Sequence, residues 1–464
     1  MFIFNTLNNS KDLLIPIKFN TLKTYVCGIT VYDYCHLGHG RNMFIFYLIN
    51  KYFKSRGYKI KYVRNITDID KKIIKKSIKN KESMKKLTKR IINSICKDEK
   101  QLGLLSPDYE PKVSNYKNSI IYYIKKLIKK DFAYIINGNV YFNINKHKIY
   151  GMLSNQTIKF LDLFLSKKDN KYKKNKLDFS LWKKLTTPTQ FKYSWDSPWS
   201  VGLPGWHIEC SVLSKIYLGN KFDIHGGGLD LIFPHHENEK AQSELIFCKP
   251  HVNIWMHSGH LNINDKKMSK SLNNIIILRS ILNQYHNEVI KYFFLLTHYR
   301  KSINFTKNQL DIAFNSLKIF YKTINFITPI KRKEKNNNLF YNKLILALEN
   351  DFNTVKAISI LFEIMYKIKN IFDLGKIKPA QDLCFELIRL GKLLGLLNYV
   401  PTKFLKTNIC FNIKQKQLET LFLIRNISKK ENFFLQSDKL RTSLFTFDVF
   451  LPDFYKRNLW YSSL

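Results

Sequence analysis

Two short strings and four scattered side chains are the residues here whose types and spacing could do chemistry. His36-Leu37-Gly38-His39, followed at once by Gly40 and Arg41, stands between a short apolar run, Thr24 to Cys27, and a helix-length segment, Asn42 to Lys54. A helix N-terminus offers N–H groups without intrahelical partners, Gly38 permits close approach, and histidines three residues apart face the same way, so the pattern suits phosphate binding. An ordinary loop is the competing reading of four such residues. Lys267-Met268-Ser269-Lys270-Ser271 follows Asp265 and precedes Leu272-Asn273-Asn274. Its two lysines could neutralise charge on a transferring phosphoryl group, or could simply decorate a basic surface loop. Cys27, Cys210, His235 and Glu239 are candidates for a zinc site, because His235 and Glu239 at i and i+4 share one helical face. Each has a plainer reading: Cys27 as a buried strand residue, Cys210 as a core thiol, His235 as one of several hydrogen-bonded histidines.

These residues need a scaffold. Thr24 to Cys27, the loop from Gly28, the helical segment and the alternating Tyr58 to Val63 read as strand, loop, helix, strand, the unit of a doubly wound parallel sheet of the Rossmann-like α/β class. Ligands of such sheets sit beyond the carboxyl ends of the strands. From about Pro111 to Trp199 a Gly138 turn, short strand-like runs and a lysine-rich stretch from Lys167 to Lys176 read as an insertion. Histidines, glycines and acidic residues then cluster from Trp206 to Asn274, and Ser280 to Arg300 returns to helical spacing. Beyond Asn304 apolar residues recur at helical intervals, for example Leu383, Leu387, Leu390, Leu394 and Leu397, as in a helical bundle. The expected organisation is therefore a catalytic domain from 1–110 and 200–304, an insertion over 111–199, a bundle over 305–400 and, after the break at Pro401, a small module over 401–464. The Lys/Asn tracts at 71–80 and 331–338 read as solvated surface.

Composition narrows the partners. A formal charge of +42, from 77 Lys plus Arg against 35 Asp plus Glu, favours a polyanion, nucleic acid first; biased base composition in the encoding genome is the bland account of the same surplus. Seven cysteines without regular spacing argue against a disulfide framework and for a reducing compartment. The first residues lack a basic leader, and no apolar stretch approaches the roughly 18 residues of a membrane helix, so a soluble cytoplasmic protein is expected.

Taken together, the two strings resemble the paired signatures of class I aminoacyl-tRNA synthetases. Tyr25-Val-Cys-Gly-Ile-Thr-Val-Tyr-Asp33, Tyr62-Val-Arg-Asn-Ile-Thr-Asp-Ile-Asp70, Gly205-Trp-His-Ile-Glu-Cys210, Asp223-Ile-His-Gly-Gly-Gly-Leu-Asp230 and Phe233-Pro-His-His-Glu-Asn-Glu239 are similar, nearly position for position, to the catalytic core of the cysteinyl-tRNA synthetase family. The resemblance implies one Zn²⁺ per chain on Cys27, Cys210, His235 and Glu239, with the ion taking the substrate sulfur and so preferring cysteine over serine. It implies ATP, accompanied by Mg²⁺, on His36, Gly38, His39, Lys267, Ser269 and Lys270, of which His36, His39, Lys267 and Lys270 stabilise phosphate charge. It places Gly28, Thr67, Trp206, His225 and Asp230 in the amino-acid pocket. Asp230 can pair with a substrate ammonium, Trp206 can wall the pocket, and Gly226 to Gly228 would let backbone approach nucleotide; a buried aspartate, a core tryptophan and a turn are the structural alternatives. The implied reaction has two steps: L-cysteine is activated as cysteinyl-adenylate, then passed to tRNA(Cys) by a monomer that needs no membrane. Asp438, Arg441, Leu444, Val449, Leu451, Asp453 and Trp460 match the spacing of the family's anticodon-binding segment, with Asp448 and Arg457 standing where glycines are expected. Two readings compete: a related ligase passing cysteine to a small amino-sugar, against which the C-terminal third speaks, and a non-catalytic RNA-binding relic, against which the intact motifs speak.

Overall fold

The computed structural model describes residues 1–157, 173–187, 193–268, 272, 274–330, 339–406 and short stretches between 420 and 462. A hairpin of β1 (Phe2–Asn5) and β2 (Ser10–Leu13) precedes β3 (Thr21–Val26), α1 (Leu37–Ser55), β4 (Lys59–Arg64), α2 (Lys71–Lys79) and α3 (Met84–Leu102). After α4 (Lys117–Lys129) come β5 (Ala133–Ile136), β6 (Asn139–Phe142), β7 (Phe179–Lys184) and β8 (Gly202–Pro204). The chain then runs through α5 (Trp206–Leu218), β9 (Phe222–Gly228), α6 (Glu237–Phe247), β10 (Val252–Ser258), β11 (Leu261–Ile263) and β12 (Lys266–Lys267).

The central sheet has the order β10-β9-β3-β4, and every pairing in it is parallel. Its strands carry buried residues on both faces, such as Leu22, Tyr25, Val26, Val63 and Ile224, as a sheet covered by helices on both sides requires. From β3 the chain departs through α1 to β4 on one side, while β9 and β10 lie on the other. The strand order therefore reverses between β3 and β9, which opens a crevice at their carboxyl ends. Cys27 sits at the end of β3, with its N–H donating to Gly226 O of β9 at 3.2 Å.

The insertion forms an antiparallel sheet of order β5-β6-β7-β8. It runs past the expected limit at residue 199, because Gly202–Pro204 pairs with Trp182 to Lys184 and leads directly into α5. The spacing had no means of showing this, since a three-residue strand carries no period of its own.

Two compact units result: Met1–Ile281 with Thr297–Asn304 and Leu346–Thr354, and Leu282–Leu296 with Phe305–Ile345 and Val355–Leu464. The expected boundary at 304 is thus interleaved. In the first unit the fully buried Asp351 accepts from Phe4 N at 2.9 Å, Tyr299 Oη at 2.7 Å and Arg300 Nε at 2.7 Å, which binds its segment to the hairpin end of the sheet. The second unit contains α7 (Asn287–Leu295), α8 (Lys307–Phe326) and α9 (Ile377–Leu393). Buried Glu288 of α7 accepts there from Leu397 N, Asn398 N and Tyr321 Oη at 2.7–3.0 Å, so the carboxylate is fully partnered. Asp438 lies on a helix over Phe434–Phe445 that also takes in Arg441 and Leu444, and Val449–Phe450 pairs with Tyr461–Ser462. Leu451, Asp453 and Trp460, with Asp448 and Arg457, fall outside the described residues. Among the described residues no helix is long and apolar enough to cross a membrane.

Candidate active site

A cleft of about 360 Å³ opens beyond the carboxyl ends of β3, β9 and β10. At one end His36 caps α1. Its Nδ1 accepts from His39 N at 3.2 Å, while His39 Nδ1 accepts from His36 N at 3.3 Å, and the rings stack with centroids 3.4 Å apart. This reciprocal box fixes both imidazoles over the helix N-terminus, where backbone N–H groups and the helix dipole favour an anion. Gly38 lies in the same wall: a Cβ there would stand 3.1 Å from Met268 Cε and 3.2 Å from the His36 ring. Lys267 on β12 and Met268 are thereby carried over the start of α1, and both line the cleft. Ser269 and Lys270 lie outside the described residues.

Arg41, two residues beyond His39, is a site residue that the sequence reading left unassigned. Its guanidinium is buried and donates to the carbonyls of Gly259 (2.8 Å), His260 (3.0 Å) and Lys301 (2.7 Å), with longer contacts to His298 and Tyr299. Burial lowers its pKa to about 10, still charged at neutral pH. One side chain of α1 thus holds the segment that continues into β11 and β12.

At the other end the cleft reaches Cys27, and three further potential ligands are buried beside it. Cys27 Sγ lies 3.6 Å from Cys210 Sγ and 3.2 Å from Glu239 Oε1, and His235 Nε2 lies 2.8 Å from Glu239 Oε1. Two sulfurs bound at about 2.3 Å to a tetrahedral ion would stand about 3.8 Å apart, close to the spacing found here. His235 Nε2, though buried, directs no hydrogen bond at the carboxylate beside it. Two thiols, an imidazole and a carboxylate with ligand atoms within 4.8 Å of one another make a donor set that fits a zinc ion. A second quartet, Cys27, His225, His236 and Glu239, also lies within 4.8 Å. A zinc ion on the first quartet would leave the two histidines of the second as supports, through hydrogen bonds to its ligands. His225 Nε2 bonds Glu239 Oε2 at 2.9 Å, and His236 Nε2 bonds Cys27 Sγ at 3.3 Å while its Nδ1 bonds His257 Nε2 at 2.7 Å. Burial works to raise the Cys210 thiol, but its hydrogen bond with Cys27 brings it down to about 6.

The remaining candidates divide. Gly28, Trp206 and Asp230 line the cleft, and Trp206 stacks on His235 with ring centroids 4.1 Å apart. A Cβ on Gly28 would fall 1.5 Å from Asn65 O, so only glycine lets these two backbones meet. Thr67 and His225 are buried behind the wall instead. Thr67 Oγ1 donates to Glu209 at 3.1 Å and accepts from Asn65 Nδ2 at 3.2 Å, and His225 lies against Trp255 with its Nε2 on Glu239. Of the three glycines after His225, a side chain on Gly226 would strike Phe46 and one on Gly227 would strike His236, so these two serve packing; Gly228 alone reaches the cleft. Asn65, whose Oδ1 accepts from Gly28 N at 2.8 Å, was also missed. An asparagine just past a strand end, inside one of the strings quoted above, was the available signal.

Comparison with known proteins gives the same picture. The model of the "tRNA synthetases class I (C) catalytic domain" matches residues 14–315, and that of the "DALR domain" matches 343–398. A cysteine–tRNA ligase from Buchnera aphidicola is 43% identical over 99% of this chain and 98% of its own length, and one from Hydrogenovibrio crunogenus is 42% identical over 99% and 98%. Among solved structures, Mycobacterium tuberculosis methionyl-tRNA synthetase in complex with methionyl-adenylate shares the fold with a TM-score of 0.60, at 9% identity over 83% of this chain and 91% of that one. Agrobacterium radiobacter LeuRS, in a ternary complex with tRNA, gives 0.63 at 10% identity over 86% of each. End-to-end relatedness leaves the amino-sugar ligase and the relic without support. The chain belongs to the cysteine–tRNA ligase family, on a class I aminoacyl-tRNA synthetase fold.

Proposed function

We propose that the two ends of the cleft divide the work of an ATP-dependent cysteine–tRNA ligase, one end selecting cysteine and the other activating it. The observation that carries this is one cleft lined by His36, His39, Lys267 and Cys27, with Cys210, His235 and Glu239 buried beside Cys27 so that the four ligand atoms lie within 4.8 Å of one another. The four ligands would hold one zinc ion, which when bound offers a soft position that favours a thiolate over the hydroxyl of serine. Asp230 takes the substrate ammonium and Trp206 closes the pocket wall, while Thr67, Glu209, Asn65 and His225 keep Gly28 and Glu239 in place from behind.

At the other end, ATP with its Mg²⁺ sets its phosphates against the N-terminus of α1. The cysteine carboxylate attacks the α-phosphorus, the bond to pyrophosphate breaks, and cysteinyl-adenylate forms. His36 and His39, held by their mutual box, and Lys267, with Lys270 and Ser269 beyond it, meet the charge that grows on the phosphate oxygens. The 2′ hydroxyl of the terminal tRNA ribose then takes the cysteinyl group and releases AMP. The second unit and the C-terminal module supply further contacts to tRNA(Cys), and the enzyme acts as a cytoplasmic monomer. ATP–pyrophosphate exchange tests this reading: exchange with cysteine and little with serine is expected, and Lys267→Ala should lower the rate on the order of a hundredfold. Equal exchange with serine would remove the metal-centred selection.

A further inference from the structure

The lysine tract at 71–80, which composition alone assigns to solvated surface, is one half of a shaped feature. On α2 the side chains of Ile73, Ile74 and Ser77 are buried, and on α3 those of Leu87, Thr88, Ile91, Ser94, Ile95 and Asp98 are buried. The opposite faces carry lysines at spacings of about four, including Lys71, Lys75 and Lys79 on one helix and Lys85, Lys89 and Lys97 on the other. From Lys71 to Lys100 every exposed charged side chain is basic. The acids of the segment are held elsewhere. Glu82 pairs with Arg90 at 2.7 Å, Asp98 is buried against Arg279 at 2.9 Å, and Glu99 is buried against Arg64.

This face meets the mouth of the cleft at Tyr34, a cleft-lining residue that is 38% exposed. The guanidinium of Arg90 lies 6.0 Å from its ring centroid and that of Arg279 lies 5.6 Å away. Arg90 Nη1 also donates to Tyr34 Oη at 3.2 Å, and Arg279 is anchored on α3 through Ser94 Oγ at 2.6 Å. Like charges crowded on two short helices repel one another and gain nothing for the fold. A phosphodiester backbone would relieve that repulsion and release its own counterions, and a partly exposed aromatic ring beside two guanidinium groups is a surface of the kind on which an unpaired base stacks. An acidic protein would need apolar anchors as well, and within α2 and α3 Ile78 is the large apolar side chain that is exposed.

We infer that the exposed faces of α2 and α3, ending at Tyr34, dock the sugar-phosphate backbone of the RNA substrate and lead its single-stranded end to the cleft. The inference rests on the cysteine–tRNA ligase reading. The test uses the full chain with Lys75, Lys79, Lys85 and Lys89 all changed to Gln, and follows charging of a tRNA(Cys) transcript between low and high salt. The tRNA KM is expected to rise, and the slope of log KM against log salt to fall by about three, the sum of four phosphate contacts at roughly 0.7–0.9 each. Cysteine-dependent ATP–pyrophosphate exchange without tRNA should be unchanged, which also shows that the variant folds. Tyr34→Leu should raise the tRNA KM several-fold while leaving the salt slope alone, since it removes a ring and no charge. An unchanged slope in the lysine variant overturns the proposal, as does poly-aspartate binding that is lost while the tRNA KM stays fixed, which would assign the face to an acidic protein. Absence of cysteine-dependent exchange in the unmodified enzyme would instead overturn the ligase reading.

Discussion

His235 Nε2 and Glu239 Oε1 lie 2.8 Å apart across one helical turn, and yet the histidine nitrogen directs no hydrogen bond at the oxygen. Both atoms lie within 4.8 Å of the sulfurs of Cys27 and Cys210, and His225 and His236 hydrogen-bond Glu239 and Cys27 from outside that quartet. On the proposed zinc assignment His235 and Glu239 are ligands, and His225 and His236 are supports.

Zinc retention should follow the separation. Cys210→Ala is expected to lose the ion, measured by metal analysis after gel filtration, while His225→Asn should keep one ion per chain with affinity lowered about 10–100-fold in chelator competition. Full zinc in Cys210→Ala would reject the assignment.

Arg41 should act on rate more than on substrate binding. Arg41→Lys retains a charge but cannot span the carbonyls of Gly259, His260 and Lys301, so the Lys267 segment should shift relative to His36 and His39. On the order of a hundredfold loss in exchange kcat, with KM for cysteine within a few-fold, is expected. A rise in KM alone would place Arg41 outside the positioning of the phosphate end.

Glycine replacements should differ by what they strike. Gly28→Ala drives a methyl into backbone at Asn65 O and should destabilise the first unit by about 1–3 kcal/mol or more, read from denaturant unfolding. Gly38→Ala meets the end of the Met268 side chain and the His36 ring at 3.1–3.3 Å, contacts that a shift of a few tenths of an ångström relieves, so it should fold normally and lose exchange activity. Equal unfolding midpoints for the two variants would contradict this.

Acid should loosen both units before carboxylates titrate. Burial lowers His251 to about 4 and His286 to about 4, and His286 Nδ1 caps α7 by accepting from Glu288 N at 3.2 Å, which an imidazolium could not do. Both rings are neutral in the fold and take up protons near pH 6.5 when unfolded, so their stabilisation is complete above about pH 6.5 and is lost as pH falls toward 4. Each contributes at most about 3 kcal/mol. Unfolding free energy measured from pH 7 to 4 should fall, and His251→Gln should flatten the slope; a pH-independent free energy over this range would exclude the effect.

Ending the chain near Lys307 should damage the catalytic unit itself, because Asp351 belongs to it through Phe4, Tyr299 and Arg300. Exchange activity and thermal melting of Asp351→Ala should both drop, whereas a chain with only the residues after 406 removed should keep exchange. Normal exchange from the chain ending at Lys307 would show that Asp351 is dispensable.

Local chemistry was legible in the sequence because its spacing is local. His36 and His39 three residues apart at a helix start, and His235 and Glu239 one turn apart, declare a shared face before any fold is known. The strand, loop, helix, strand order likewise declared the parallel sheet and the end of it where ligands gather. Only the tertiary structure brings Cys27 to within 3.6 Å of Cys210, 183 residues away, since the packing of α5 against the end of β3 is a long-range event that no period records. It also moved Thr67 and His225 behind the wall, gave Gly226 and Gly227 to the packing of Phe46 and His236, and interleaved the two units around Asp351. Residue type fixes what a side chain can do; burial and the direction of its lone pairs, which depend on the whole chain, decide which of those things it does.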